Sequence, residues 1–337
     1  MMPVAPYSLI CPICRTPLEP HADRWDCTGC ARHYPVRREI PDFRLAPDPY
    51  IGQEDDARKA QELDAYGENH SFSEVIAHYW RITPGVSERM AQRYVSAALT
   101  AVDRAAHIWN GITLLRTIDP DALILEVGCG SGGMLCVAAR HVRHVTGMDI
   151  ALRWLVVARK RLHEHAVANV TLICAGAERM PVPDATFDAV LGIDVLDHVY
   201  DPPAVLREIE RVLKPGGLCY LLVPNRFGFG PDPHVRLWWV GWMPASVRDR
   251  YVRWRRGTSY HPIRPMSVYR LRCWLSRTSL RVDRITAPSF RARSDLRIRG
   301  LDRWLLHVYE VLRILPGSRT VLPYISPIVE YFCYKPA

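Results

Sequence analysis

Four cysteines near the N-terminus have the spacing of a metal site. Cys11 and Cys14 enclose two residues, and Cys27 and Cys30 repeat this arrangement with twelve residues between the pairs. Each pair turns two thiolates toward one point, and two pairs complete a tetrahedral four-sulfur set for Zn²⁺. Four thiolates leave no open coordination position, so we expect a structural ion whose binding folds a segment with almost no core. A redox dithiol and a chance cluster are the alternatives.

A second group of residues has the pattern of a nucleotide-binding turn. An apolar stretch ends in Glu126, and Gly128, Gly130 and Gly132 follow before a segment with helical spacing. A strand, a glycine turn and a helix let backbone N–H groups approach a ligand closely. Asp149 ends the next predicted strand 21 residues after Gly128, near the separation of about 20 at which a carboxylate binds ribose hydroxyls. On these residues alone an NAD site remains open.

Three polar side chains are candidates to position or deprotonate an acceptor. Asp194 ends the fourth predicted strand of an α/β sheet, His198 follows in the same loop, and His234 lies in the loop after the fifth strand. Imidazoles and carboxylates are the usual groups for proton transfer near neutral pH. His198 is the first candidate because it leaves the fourth strand next to the expected ligand. Capping of the following helix is its alternative role.

The elements that must hold these residues alternate between strand and helix from Ala122 onward. Such alternation is typical of a mainly parallel, doubly wound α/β sheet, whose ligands bind outside the carboxyl ends of the strands. The predicted strands are 122–127, 144–148, 170–175, 187–193, 218–223, 280–286 and 328–334. The predicted helices are 54–66, 72–80, 87–118, 132–141, 151–165, 202–213, 245–256, 264–276 and 296–315.

The segment Leu125-Glu-Val-Gly-Cys-Gly-Ser-Gly132 resembles the first motif of class I S-adenosylmethionine (SAM)-dependent methyltransferases. Residues 174–190, 193–203 and 206–217 resemble later motifs of the ubiquinone-biosynthesis type of these enzymes. The resemblance covers about residues 121–223 and implies a Rossmann-like, seven-stranded, mostly parallel sheet with SAM as cofactor. It implies SAM contacts at Glu126, Gly128, Cys129, Gly130, Gly132, Asp149, Ile150, Ala177, Glu178 and Asp194.

Two positions depart from the pattern of this family. Gly176 stands where an Asp usually meets the adenine amino group, so that contact would pass to Glu178 or be absent, while Ala177 still offers its backbone N–H. Asp197 and His198 stand where the family usually has Glu-His. The departures concern adenine recognition and the acceptor side, and they leave the resemblance of the glycine turn intact.

The cysteine-rich segment carries a resemblance of its own. Residues 31–43 resemble the continuation of the zinc-ribbon proteins that activate tRNA and translation-factor methyltransferases, in which the Tyr34-Pro-Val stretch forms a strand beside the knuckles. Helices ahead of the first strand commonly fold over the cofactor in this enzyme class. We therefore expect a zinc ribbon (1–46), a linker and helical cap (47–118) and a SAM-dependent methyltransferase domain (119–337) with insertions at about 225–262 and 287–324 that roof the active site.

Positive charge is concentrated late in the chain. Residues 225–303 contain 18 Arg, no Lys and five Asp, a net +13, so the rest of the chain carries −4 of the total +9. This segment also contains many Trp, and Arg with Trp suits a peripheral membrane surface, RNA or an acidic substrate. Nothing in the sequence has the length of a membrane span, about 20 apolar residues, or the pattern of a signal peptide. We expect a cytoplasmic protein, membrane-associated if the basic segment meets lipid.

Three functions are compatible with these features. The first is methyl transfer to a small-molecule, sugar or lipid-linked acceptor at oxygen, which the aromatic insertions favour. The second is methylation of a ribosomal or transfer RNA base. The Asn-Pro-Pro-Tyr motif of enzymes that methylate exocyclic amino groups does not occur after the fourth strand, which argues against that type of base methylation. The third is non-methylating SAM chemistry such as cyclisation. A purely non-enzymatic role is disfavoured by the intact glycine turn and Asp149.

Overall fold

The computed structural model describes residues 5–260, 263–290 and 301–337. Its N-terminal part is a small antiparallel sheet in the order β1-β2-β3-β4, in which β1 and β2 form a hairpin between the cysteine pairs. The Tyr34-Pro-Val stretch lies in the third strand, beside the second, as the resemblance implies. The strands are β1 (Leu18–Pro20), β2 (Arg24–Cys27), β3 (His33–Arg37) and β4 (Ile40–Pro41).

Four helices precede the main sheet, where three were predicted. The prediction of one helix over 87–118 is wrong, because the helix ends at Leu99 and a new one begins at Ala101. The Thr100 hydroxyl and backbone N–H both bond the Ser96 carbonyl oxygen, a side-chain interaction that competes with the helical pattern and bends helices. The helices are α1 (Gln53–Gly67), α2 (Phe72–Arg81), α3 (Glu88–Leu99) and α4 (Ala101–Leu115).

The main sheet has the predicted seven strands, in the order β10-β11-β9-β8-β5-β6-β7. Strands β5 to β9 pair in parallel, and β11 is antiparallel to both of its neighbours. The order reverses between β5 and β8, which places a switch point and its ligand crevice at their carboxyl ends. The strands are β5 (Leu123–Val127), β6 (His144–Asp149), β7 (Val170–Cys174), β8 (Phe187–Ile193), β9 (Leu213–Pro224), β10 (Arg281–Thr286) and β11 (Ile328–Tyr334).

Strand β9 begins five residues earlier than predicted, at Leu213. Leu213 pairs with Phe187 and Leu218 pairs with Ala189, so the Lys-Pro-Gly-Gly turn is an irregularity inside the strand rather than a break before it. Gly216 has a φ of +78°, the left-handed conformation that glycine adopts at little cost. The turn thus aligns the strand without ending it.

The remaining helices do not all pack on the main sheet, because the helix at 245–256 contributes Val252 to a separate buried cluster. The predicted helix over 264–276 begins at Val268, where the Ser267 hydroxyl accepts a hydrogen bond from the Arg270 N–H and caps the helix. The predicted start of the last long helix, at residue 296, lies outside the described residues. These helices are α5 (Gly133–Ala138), α6 (Leu152–Glu164), α7 (Pro202–Val212), α8 (Ala245–Arg256), α9 (Val268–Leu275), α10 (Leu301–Ile314) and α11 (Leu322–Ile325).

The N-terminal sheet packs on the main sheet and shares its core. Its Tyr34 and the following Phe43 belong to the same buried cluster as Ile173 of β7 and Leu206 of α7, while α1, α2, α4, α5 and α6 pack on the opposite face. Residue Asp42 forms a parallel bridge with Cys174, which extends the hydrogen bonding of the main sheet beyond β7. In the part of the chain that the structure describes, no helix is long and apolar enough to cross a bilayer.

Candidate active site

The glycine turn at the carboxyl end of β5 forms an open cradle. Gly130 has a φ of +49°, and a Cβ placed on it would meet no atom within 4 Å. Its N–H donates to Asp149 Oδ2 at 2.8 Å. At Gly132, also left-handed, a Cβ would come within 3.1 Å of the Ala158 side chain on α6. One glycine leaves room for a ligand, and the other permits the close helix packing beneath it.

Asp149 ends β6 and faces this cradle. Its Oδ1 accepts the Ala151 N–H at 2.9 Å, while Oδ2 accepts that of Gly130. Burial raises the pKa of Asp149 to about 6, and the two backbone donors partly oppose this rise. A carboxylate held in this way beside a glycine turn is placed to accept hydrogen bonds from a ribose diol.

Glu126 supplies a buried acceptor at the end of β5. Its side chain is 4% exposed, and Oε2 has no hydrogen-bond partner among the described residues. Burial raises the pKa of Glu126 well above its usual range, and the nearby Asp149 carboxylate raises it further. A cationic donor bound here would relieve both effects, and the methionyl amino group of SAM is such a donor.

The segment after β6 and the loop after β7 meet at Gly176. A Cβ at Gly176 would lie 3.3 Å from Glu178 Oε2 and 4.0 Å from Ile150 Cδ1. Glu178 Oε1 is already bonded to the Tyr200 N–H at 2.8 Å, so Oε2 is the oxygen that stands in the space where a side chain at 176 would point. Ala177 is buried at the same loop. Because Gly176 has no side chain, the Glu178 carboxylate occupies the space into which an Asp at position 176 would point.

Cys129 lies inside the turn and serves its backbone. Cys129 is buried, and its N–H donates to the Met148 carbonyl oxygen at 3.1 Å. The Gly128 N–H donates to the same oxygen at the shorter distance of 2.7 Å. Burial raises the pKa of the Cys129 thiol well above its usual range, so it is not a thiolate. These contacts tie the turn to the end of β6, next to Asp149.

A buried ionic network supports the segment after Asp149. Asp56 of α1 accepts hydrogen bonds from the Leu152 N–H at 3.0 Å and from Arg44 and Arg153, each at 2.6 Å. The residue at the N-cap of α6 is Ala151, which has no capping side chain, so Asp56 caps this helix from another element. Arg44 also donates to the Ile150 carbonyl oxygen and pairs with Asp42.

Asp194 lies at the end of β8, next to the cradle. It has a φ of +53°, a conformation that is costly for a residue other than glycine, and its N–H donates to the Leu222 carbonyl oxygen at 2.9 Å. The strained backbone turns the chain sharply from the strand into the loop that carries Asp197 and His198. This position faces the end of the neighbouring strand β9.

Asp197 joins the two histidines predicted from the sequence. The carboxyl group is fully buried, and its Oδ2 lies 2.7 Å from His234 Nε2 and 3.6 Å from His198 Nε2. Burial opposes ionisation of Asp197, but His198 and His234 lower its pKa to about 2. Burial likewise opposes the charge on His234, but Asp197 raises the pKa of His234 to about 9. The structure thus brings His198 and His234 together through a carboxylate.

Two members of this cluster were not predicted. In the sequence, Asp197 stands out only as a departure from a motif. An acidic residue that follows the apolar Val195 and Leu196 nevertheless indicates a buried carboxylate with a polar partner. Tyr50, whose hydroxyl is hydrogen-bonded to His198 Nδ1, lies 148 residues away in sequence and gives no local signal. The ligand atoms of Asp197, His198 and His234 lie within 4.8 Å of one another, but the 2.7 Å contact is a direct hydrogen bond, and we interpret the cluster as hydrogen-bonded.

The four N-terminal cysteines converge as predicted. Their sulfur atoms lie within 4.8 Å of one another, and Cys14 and Cys27 are 3.3 Å apart while Cys11 and Cys30 are 3.7 Å apart. Sulfurs around a tetrahedral Zn²⁺ at 2.3 Å are about 3.8 Å from each other. All four thiols are free of disulfides. The set fits a structural zinc ion, which would tie the two knuckles together.

Comparison with known proteins agrees with this site. The family model "Methyltransferase domain" matches residues 125–221. The ubiquinone biosynthesis O-methyltransferase of Parvibaculum lavamentivorans is 24% identical over 237 residues, 68% of this chain and 86% of that protein. The demethylmenaquinone methyltransferase of Listeria welshimeri is 37% identical over 113 residues, 32% of this chain and 48% of that protein. The chain spans about half the length of several other curated relatives, which share a higher identity with it over a shorter stretch.

A solved structure shares the fold. A chain from the complex between the Haloferax volcanii Trm112 methyltransferase activator and a putative methyltransferase superposes with a TM-score of 0.50 and 16% identity, covering 75% of this chain and 99% of that one. The fold is that of class I SAM-dependent methyltransferases. This chain is an enzyme of that type, and its four-cysteine cluster fits an N-terminal zinc ribbon. SAM is the cofactor of the family.

Proposed function

We propose that this protein transfers the methyl group of SAM to a hydroxyl oxygen of a small-molecule acceptor. The observation that carries the proposal is the Asp197–His198–His234 cluster, which lies at the carboxyl end of β8 and is equipped to take a proton. The Parvibaculum relative is named as an O-methyltransferase of ubiquinone biosynthesis, which supports oxygen as the acceptor atom. An acceptor that keeps a proton until it reacts is the kind that needs such a cluster.

The cofactor would be held along the ends of β5, β6 and β7. Asp149 would bind the ribose hydroxyls, Glu126 Oε2 the amino group, and Glu178 Oε2 with the Ala177 N–H the adenine ring. Gly128, Cys129, Gly130 and Gly132 shape the turn that would let the cofactor approach the backbone, and Ile150 would contact the adenine ring. SAM supplies an electrophilic methyl group and its own leaving group.

The protein's contribution is then alignment and proton removal. Holding the acceptor oxygen in line with the methyl group can lower the barrier by about 7–11 kcal/mol. Asp194, at the strand end, orients the acceptor, and His198 accepts its proton. Asp197 stabilises the resulting imidazolium, because a buried carboxylate with a lowered pKa stays ionised. His234 is hydrogen-bonded to the same carboxylate oxygen that faces His198 and fixes the orientation of the carboxylate.

The acceptor side is formed in part by the insertion after β9. His234 belongs to this insertion and reaches Asp197, and Tyr260 bonds Asp232 beside it at 2.6 Å. The insertion also exposes Trp239 and Trp242 next to the Arg-rich helix α8. An aromatic and cationic surface of this kind suits a lipid-linked acceptor, and membrane contact stays a prediction that sedimentation with anionic vesicles would test.

The proposal is tested with labelled SAM. Purified protein is offered a small-molecule extract, a lipid extract and total RNA, and we expect alkali-stable label in the small-molecule or lipid fraction. Label in RNA that nuclease releases would contradict the proposal and favour base methylation instead. Absence of SAM binding by calorimetry, with zinc present, would contradict the enzymatic function altogether.

A further inference from the structure

The linker between the zinc ribbon and α1 reaches the acceptor side of the active site. Tyr50 of this linker is half-exposed, and its hydroxyl is hydrogen-bonded to His198 Nδ1, with the two ring centroids 5.8 Å apart. The linker is fastened on both sides of this contact. Asp48 accepts the Tyr50 N–H at 2.7 Å, and the Pro47 carbonyl oxygen accepts the Tyr200 hydroxyl at 3.2 Å.

The contact assigns the proton on the His198 ring. The carboxylate of Asp197 lies on the Nε2 side, which favours the proton on Nε2. Nδ1 is then the acceptor of the Tyr50 O–H. The Tyr50 hydroxyl therefore occupies Nδ1, while Nε2 faces Asp197 at 3.6 Å without a hydrogen bond, and an acceptor hydroxyl does not reach Nδ1 while Tyr50 is in place. Such a hydroxyl can still donate a hydrogen bond to the remaining lone pair of the Tyr50 oxygen.

We propose that Tyr50 relays the acceptor proton to His198, so that Tyr50, His198 and Asp197 act as one chain. This inference rests on the proposed O-methylation. As the acceptor oxygen forms its bond to the methyl carbon, the sulfur keeps the electrons of the broken S–C bond. The acceptor proton passes to the Tyr50 oxygen, and the original Tyr50 proton passes to His198 Nδ1. His198 then carries one positive charge beside Asp197 and later returns the proton to water.

The charged groups around the Tyr50–His198–Asp197 relay come from several elements. Asp197 and His234 lie on the Nε2 side of His198, and Asp48 of the linker accepts a hydrogen bond from Arg153 of α6 at 3.2 Å. Arg153 also pairs with Asp56, and His234 pairs with Asp197. Asp197 lies 3.6 Å from His198 Nε2, and its charge favours the proton on His198 and thereby the direction of the relay.

The test compares Tyr50→Phe with the matched control Tyr269→Phe, which alters a tyrosine that is 79% exposed on α9. Methyl transfer from labelled SAM is measured in the extract fraction that the wild type labels. We expect Tyr50→Phe to lower kcat by about 10²-fold or more with an unchanged KM for SAM, since positioned proton transfer contributes about 10²–10⁴-fold.

Two results would overturn the relay. A kcat for Tyr50→Phe within twofold of the wild type excludes it, and a kcat for Tyr50→Ala above the wild type would show that Tyr50 only blocks the acceptor. Nitrogen NMR of the His198 ring gives a readout without turnover: we expect the Nδ1 resonance to change in Tyr50→Phe, and an unchanged resonance contradicts the hydrogen bond. Wild-type protein that binds SAM but labels no fraction contradicts the proposed function instead, and the NMR result still decides the contact.

Discussion

At the scale of single residues, the proposed cofactor side of the site contains two carboxyl groups whose charged form is disfavoured by burial. Glu126 is buried and Asp149 is half-buried; burial raises the pKa of each, and the Asp149 carboxylate raises that of Glu126 further. The proposed SAM contacts, a ribose diol at Asp149 and an ammonium group at Glu126, would stabilise the charged form of both. In the free protein, the burial of these carboxyl groups therefore costs free energy that cofactor binding would offset.

The role of Asp149 is checked by Asp149→Asn. We expect SAM affinity to fall by about 10²-fold, because hydrogen bonds to a charged acceptor contribute about 1.5–3 kcal/mol each. Calorimetry measures the Kd, and Asp121→Asn, at an exposed loop residue before β5, serves as control. Equal affinity of Asp149→Asn and wild type would refute the ribose assignment.

The Asp197–His234 pair predicts a pH dependence of stability. The folded pKa of His234 is raised to about 9, so the stabilisation is complete below its unfolded value of about 6.5 and is lost as the pH rises through 9. The folded pKa of Asp197 is lowered to about 2, so its share persists down to mildly acidic pH. Urea unfolding at pH 6 and pH 9.5 should show a larger loss of stability in the wild type than in His234→Gln. Identical losses would show that the pair is not ionised.

At the scale of elements, local patterns predict the strands well and the contacts between distant elements poorly. The apolar runs around Leu125 and Val190 and the glycine turn are short-range signals, and they predict β5, β8 and the cradle nearly to the residue. The break at Thr100 depends on one hydroxyl, and the caps and contacts made by Asp56 and Tyr50 join elements about 100 residues or more apart. Periodicity contains no information on such pairs, so sequence reasoning missed them.

The cap supplied by α1 is tested with Asp56→Asn. This change removes the charge between the buried Arg44 and Arg153, and breaking such a buried pair costs about 3–5 kcal/mol. Because Asp56 also holds the Leu152 N–H, SAM affinity should fall together with thermal stability. The neighbouring Asp55→Asn is the matched control, since Asp55 is exposed and pairs only with Arg58 at the surface. Similar melting temperatures for the two variants would argue against a structural cap.

At the scale of the whole molecule, the zinc ribbon is hydrogen-bonded to the loop that we propose binds adenine. The Phe43 N–H donates to the Cys174 carbonyl oxygen at 2.7 Å, and the Ile10 N–H donates to that of Pro181 at 3.1 Å. Arg15 adds a bond to the Met180 carbonyl oxygen and an ion pair with Glu208 of α7. The ribbon therefore holds both ends of the segment that contains Ala177 and Glu178. Its folding and the order of the cofactor site are coupled.

This coupling predicts that zinc loss weakens SAM binding at a distance. Cys14→Ser removes one of the four ligands, so metal analysis should show loss of zinc, and hydrogen exchange should rise in residues 174–182 as well as in the ribbon. We expect a SAM Kd raised by about 10-fold, which corresponds to about 1.4 kcal/mol. Cys273→Ser is the control, because Cys273 is a partly exposed thiol of α9 outside the cluster. Zinc loss with unchanged exchange in 174–182 would show that the ribbon folds independently of the cofactor site, and full zinc content in Cys14→Ser would disprove the four-sulfur site.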